Sequence, residues 1–348
     1  MFHARTVACA CSLLLGLACG SEAKPPAQSP QPYPGQPYPS QPGQPGYPQN
    51  PAQPGYGQPG SGQPVYGQPG QALPPGNAAT DPIASVQLAY LRQATQGILN
   101  ELVAALPPNK QQRVAGIPLV VDDTPGEVNA FAACSDQGKA AMAITDGLLQ
   151  IQATLSQAEA HDEIFGTRSV DAYIQTLASQ LRPNQPIPAP PSGLFPQAND
   201  ARVIAREHQV FEEQVAFVMG HELGHHHLGH LPCTAVADPL GAGEVARVLS
   251  GSVPLFNQPN EIAADIAGVY NVLDAARLRS ARGQYGWTEA GGLLTMRFFS
   301  GLEQLSPATL LTAFESSHPP PQLRVPIIQQ AANTWRSTGG VQFSFPGF

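Results

Sequence analysis

Gly220-His221-Glu222-Leu223-Gly224-His225 decides how this chain is read. On a helix, positions i and i+4 stack on one face, so His221 and His225 can grip one metal ion from the same side. Glu222 stands beside the first imidazole, close enough to act on a water held at that ion. Two ligands and a base within five residues form a donor set for metal-assisted chemistry on water. Working outward, Val203, Val210, Phe211, Gln214, Val218, His221 and His225 recur at helical spacing. The spacing predicts a long helix from about Asn199 to His230 with both histidines on its inward side, stopped by Leu231-Pro232. His226, His227 and His230 are spread around that helix, which suits packing or solvation better than a second metal site.

A catalytic zinc needs three protein ligands and an open position. The metzincin pattern would require glycine at 228 and histidine at 231, where the chain has Leu228 and Leu231. Glu261 is the other candidate, at the start of Asn260-Glu261-Ile262-Ala263-Ala264-Asp265. This opens a second long helix, running to about Ser280, with Ile262, Ile266, Val269, Tyr270 and Leu273 as its expected buried face. Glu261 and Asp265 are four apart and share a face. One can bind metal while the other hydrogen-bonds the far nitrogen of a ligand histidine and fixes its tautomer. Residues 268 and 269 are Gly and Val, so Asp265 has no basic partner one turn further on. Two His and one Glu, a gluzincin set, is the reading that fits.

The rest of the chain supports a folded region beginning near Asp81. Thr80-Asp81-Pro82 is a helix start signal before the stripe Ile83, Val86, Leu88, Leu91, Ile98, Leu99 and Leu102. Residues 119–121, 128–132 and 140–145 read as strands, the last two joined by a hairpin turn at 135–139. Asp146 opens a further helix. Pro183 to Pro196 is a proline-rich loop, either a lid or a plain insertion. Further helices are predicted around Leu293–Leu302 and Val325–Trp335.

Before Asp81 the chain cannot build a core. Arg5 precedes an apolar run from Val7 to Leu17, too short for a transmembrane helix and suited to a secretory leader at 1–18. Leu17-Ala18-Cys19-Gly20 resembles a bacterial lipobox with Cys19 as the lipidated residue, although Gly16 stands where a large aliphatic residue is usual. The alternative is ordinary cleavage nearby, after Ala23. Residues 25–76 hold 17 Pro and 10 Gly and no charged residue. Such a segment has little to bury, so 19–80 reads as a disordered tether. Residues 81–348 form the domain. The net charge of -8 with 17 Lys+Arg leaves no basic stripe, which argues against nucleic-acid binding. In the domain at 81–348 only Cys134 and Cys233 remain, and they are either a disulfide or two separately buried thiols.

Four segments, in order, resemble the zinc metallopeptidase family typified by HtpX, BepA and the CAAX prenyl proteases. They are Asn129-Ala130-Phe131-Ala132 with Ile144 to Leu149, then Gly220 to His225, then Asn260-Glu261 to Asp265, then Ser317-His318-Pro319-Pro320 with Arg324. Thermolysin-like enzymes share the Asn-Glu pair, but the late His-Pro segment points to the first family. The resemblance implies an α+β, mainly helical zincin-like domain with a small sheet whose edge strand borders the active-site cleft. It implies one Zn2+ held by His221, His225 and Glu261, with Glu222 moving a proton from water to the leaving amine. It makes His318 an oxyanion partner or a latching fourth ligand, and Arg324 a partner for Asp265. Asn129 is either a hydrogen-bonding group for the substrate or a strand-end turn residue. An edge strand at the cleft suits an extended peptide added by β-pairing. The expected activity is zinc-dependent endoproteolysis of unfolded or misassembled cell-envelope proteins by an exported, lipid-anchored chain. The rival is a non-catalytic or latched chaperone that holds clients in the same cleft. The family's transmembrane helices are absent here, and the proline insertion is a further departure.

Overall fold

The axis of the domain is a 28-residue helix, Ala201–Leu228, which the computed structural model of the chain shows packed on most of the other described helices. The structure describes residues 77–135, 138–233, 235–236, 258–305 and 319–340. The leader, Cys19, most of the tether, the hairpin residues 136–137 and His318 therefore lie outside the described residues. Among the described residues the chain order is α1 (Leu88–Ala105), α2 (Pro108–Val114), β1 (Leu119–Asp122), β2 (Ala130–Cys134), β3 (Lys139–Thr145), α3 (Asp146–Phe165), α4 (Ser169–Gln180), α5 (Ala201–Leu228), β4 (Ala235–Val236), α6 (Gln258–Ala281), α7 (Ala290–Leu305) and α8 (Pro321–Thr338). This is a mainly helical α+β fold with a small mixed sheet. No described helix is long and apolar enough to cross a membrane.

Local chemistry explains where α5 and α3 begin and end. Asp200 caps α5 by accepting the Arg202 amide at 2.9 Å, and Gly229 ends it in the left-handed conformation at φ 78°. Thr145 caps α3 in the same way, its hydroxyl accepting the Leu148 amide at 3.1 Å. The apolar run Ala140–Ile144 makes β3 a buried central strand. β1 runs parallel to it, β2 antiparallel, and the short β4 pairs parallel with Lys139 and Ala140. β2 is thus an edge strand among the described residues, as the resemblance implied, and α5 packs against it.

Cys134 and Cys233 form a disulfide with Cα atoms 5.3 Å apart, which settles the choice left open by the sequence. It ties the end of the edge strand to the segment leaving α5. The proline-rich loop is an anchored insertion: Ile187, Leu194 and Phe195 pack on the core, and Phe195 stacks tilted on His161 with centroids 5.1 Å apart.

Three expectations change. The first helix starts at Leu88 rather than beside Asp81, because Asp81 Oδ1 accepts the Ile83 and Ala84 amides at 2.9 and 3.1 Å and closes a turn there. Strand β2 starts at Ala130, so Asn129 lies just before it, with its amide donated to the Thr145 hydroxyl at 3.0 Å. Ile262 and Ile266 were expected inside, but they are 39% and 38% exposed. Helix α6 instead turns Glu261, Ala264, Asp265 and Gly268 toward α5.

That orientation depends on small residues. A Cβ on Gly268 would stand 2.9 Å from the His221 nitrogen, and one on Gly220 would stand 3.2 Å from the Gly268 carbonyl oxygen. At Gly224 it would meet the Ala264 carbonyl at 3.2 Å. The two helices therefore touch backbone to backbone at the level of His221. Gly268→Ala is expected to destabilise the fold by about 1–3 kcal/mol through overpacking. Gly97→Ala, where an added Cβ meets nothing within 4 Å, should stabilise α1 by about 0.5–1 kcal/mol. Denaturant unfolding of both variants beside wild type checks the opposite signs.

Candidate metal centre

Helix α5 presents His221, Glu222 and His225 from its buried side, and α6 presents Glu261 from its first turn. Both Nε2 atoms and the carboxylate converge. His221 Nε2 is 3.2 Å from His225 Nε2 and 3.4 Å from Glu261 Oε2, and His225 Nε2 is 3.3 Å from Glu261 Oε1. Ligand atoms about 2.0–2.1 Å from a tetrahedral zinc lie about 3.3 Å from one another, so these separations fit the donor set for one such ion. All three side chains are buried.

The outer nitrogens are fixed too. Asp265, 0% exposed, takes the Nδ1–H of His221 at 2.9 Å, which makes Nε2 the nitrogen turned to the cluster. Arg324 on α8 grips the same carboxylate through Nε at 2.9 Å and a terminal nitrogen at 2.6 Å. Burial alone would raise the Asp265 carboxyl, but the Arg324 and His221 partners outweigh it and hold it well below the usual range. His221 is pulled down by burial and by Arg324 and up by Asp265 and Glu261, and the net is upward, to about 9. The surrounding carboxylates thus favour positive charge at His221. His225 Nδ1 lies 3.2 Å from His230 Nδ1.

Glu222 Oε1 is 4.0 Å from His221 Nε2. Burial pushes its carboxyl up to about 7, against the nearby His221, and the amide of Ala132 on β2 hydrogen-bonds it. A carboxyl that titrates near neutrality beside a metal-binding cluster can take up and release a proton at physiological pH. An apolar recess adjoins it, lined by Ala130, Leu148, Phe217, Val218, Met296 and Phe299.

The structure therefore brings together His221, Glu222, His225, Glu261, Asp265 and Arg324. Asn129 Oδ1 is buried without a hydrogen-bond partner among the described residues. His226 and His227 are packed, as expected: His226 Nε2 bonds the Ala141 carbonyl at 3.0 Å, and both nitrogens of His227 lack partners among the described residues. His230 was read as packed or solvated, yet it supports His225. The signal was Gly229, whose left-handed turn folds the chain back so that the His230 amide reaches the His225 carbonyl at 3.0 Å. The Ala132 contact had no local signal, since it needs the sheet in place.

Residues 93–332 match peptidase family M48, which covers the whole cluster. The chain belongs to this family of metal-dependent peptidases. No curated protein and no solved structure matches it.

Two consequences can be measured. Asp265→Asn weakens the His221 hydrogen bond and its charge balance, and should lower metal affinity about 10–100-fold in chelator competition. His227, 1% exposed, has its pKa lowered to about 3 by burial and then by Lys110, so it stays neutral in the fold while the unfolded chain protonates it. Its contribution is full above about pH 6.5 and is lost by about 1.4 kcal/mol per unit as pH falls toward 3. His227→Leu should flatten that acid limb in unfolding curves taken from pH 7 to 4.

Proposed function

We propose that this chain is a zinc-dependent endopeptidase acting on unfolded or misassembled proteins of the cell envelope. The observation that carries the reading is the convergence of His221, His225 and Glu261 at 3.2–3.4 Å with Glu222 buried alongside. Two imidazoles and one carboxylate in a tetrahedral spacing suit zinc above harder cations that require all-oxygen shells. When bound, the ion supplies an acidified water and a Lewis acid for the scissile carbonyl.

The chain's own residues do the rest. Glu222 accepts a proton from the attacking water and returns it to the leaving amide nitrogen. Its hydrogen bond from Ala132 puts the outer edge of β2 beside the base, so an extended peptide pairing with that edge would lay its backbone across Glu222. The recess between Phe217 and Phe299 takes an apolar side chain of that peptide. Asp265 and Arg324 hold the His221 ring and tautomer so that it need not reorganise during turnover. Asn129, just before β2, and His318 are the groups we assign to the oxyanion; the latter rests on the His-Pro resemblance. Export and anchoring through Cys19 are supported by the Arg5, Val7–Leu17 leader and by the tether that follows it.

Hydrolysis of casein by wild type and Glu222→Gln, with zinc content recorded for each, tests this. The variant should keep its zinc and lose cleavage by about 100- to 10,000-fold. Full zinc with no cleavage by either protein would sink the peptidase reading in favour of a client-holding role.

A further inference from the structure

Glu207 is the most poorly satisfied charged side chain outside the centre just described. It is 0% exposed, and neither carboxylate oxygen has a hydrogen-bond partner among the described residues. It sits on α5 fourteen positions before His221, about 21 Å along the helix axis. Beside it are His208 on the same helix and Asp81 from the turn that opens the folded region. One donor atom from each of the three lies within 4.8 Å of the other two.

Each member is held in place. Asp81 Oδ1 is occupied by the Ile83 and Ala84 amides, while Oδ2 faces His208 Nε2 at 2.8 Å. The His208 ring is wedged edge-on against Tyr90, with centroids 6.2 Å apart. Glu207 completes the cluster: burial and the like charge of Asp81 both act against its ionised form, and the Asp81 carboxylate lies within hydrogen-bonding reach of its protonated form. A fully buried carboxylate beside a half-buried one is unstable unless something positive stands between them. A proton would quiet one oxygen of Glu207 and leave the other bare. A cation would satisfy both carboxylates and use the ring nitrogen as well.

We propose that Asp81, Glu207 and His208 bind a second divalent cation, of the zinc class that accepts mixed nitrogen and carboxylate donors. Binding takes the Nε2 lone pair of His208, so the Nε2 proton leaves to solvent from the protonated ring or moves to Nδ1 in the neutral one, and the proton held by Glu207 is released to solvent. Neighbouring tetrahedral donors stand about 3.3 Å apart, so the 2.8 Å contact opens by about 0.5 Å, within reach of a side-chain rotation. Asp81 lies before residues 93–332 that match the family, so the cation joins a flanking segment to the central helix. Its role is to clamp the turn at 77–87 onto α5, where Ile83 enters the core and the Ala78 amide reaches Asn199 Oδ1 at 2.8 Å.

The test is zinc stoichiometry of the full chain, stripped with chelator and titrated with zinc alone. Four proteins are compared: wild type, His225→Ala, Glu207→Gln and the double variant. Wild type should bind two equivalents, each single variant one, and the double variant none. Glu207→Gln should also retain wild-type casein hydrolysis. A His225→Ala protein that holds no zinc overturns the proposal without any reliance on how the Glu207 variant folds. So does an equivalent in His225→Ala that survives the added Glu207→Gln change, since it then belongs to other histidines. If wild type binds one equivalent, lost in Glu207→Gln and kept in His225→Ala, this site stands and the zinc-peptidase reading falls.

Discussion

The Asp265 carboxylate, buried between an imidazole and a guanidinium, is the interaction on which the rest of the centre depends. It joins three helices at one point: α5 through His221, α6 through its own backbone and α8 through Arg324. A buried carboxylate of this kind is stable only while both partners remain, because removing either leaves an uncompensated charge in a medium that solvates it poorly. The same contact selects the His221 tautomer. Structural integrity and the geometry of the candidate metal centre are therefore carried by one set of hydrogen bonds.

That set can form only because α5 and α6 approach more closely than side chains ordinarily permit. Gly220, Gly224 and Gly268 remove the Cβ atoms that would hold the helices apart. With the backbones in contact, the first turn of α6 places Glu261 against the two Nε2 atoms, and Asp265 one turn later reaches Nδ1. The price is that Ile262 and Ile266, one position further round, face outward. Polar geometry at the centre overrides apolar periodicity on this helix, since an unpaired buried carboxylate costs more than an exposed isoleucine.

On the other side of α5 the edge strand closes the arrangement. Ala132 offers its amide to Glu222, and the Cys134–Cys233 disulfide holds the end of the same strand to the segment leaving α5. Glu222, the two imidazoles and the edge strand thus share one frame. The His225–His230 contact extends it past the helix end, where Gly229 turns the chain back.

Whatever depends on spacing within one helix was legible in the amino-acid sequence: the His221–His225 pair, Glu222 between them, and the common face of Glu261 and Asp265. The metallopeptidase family followed from the same residues and their order along the chain. Helical periodicity also placed α5 within a few residues, because caps and glycine stops act locally. Which way α6 faces, whether Cys134 and Cys233 join, and which amide meets Glu222 were decided only by tertiary structure. So was the meeting of Asp81 with Glu207 and His208, residues more than a hundred positions apart. Each of these is a contact between separate elements, set by how closely backbones can approach and by the need to neutralise buried charge, and neither quantity is carried by local periodicity.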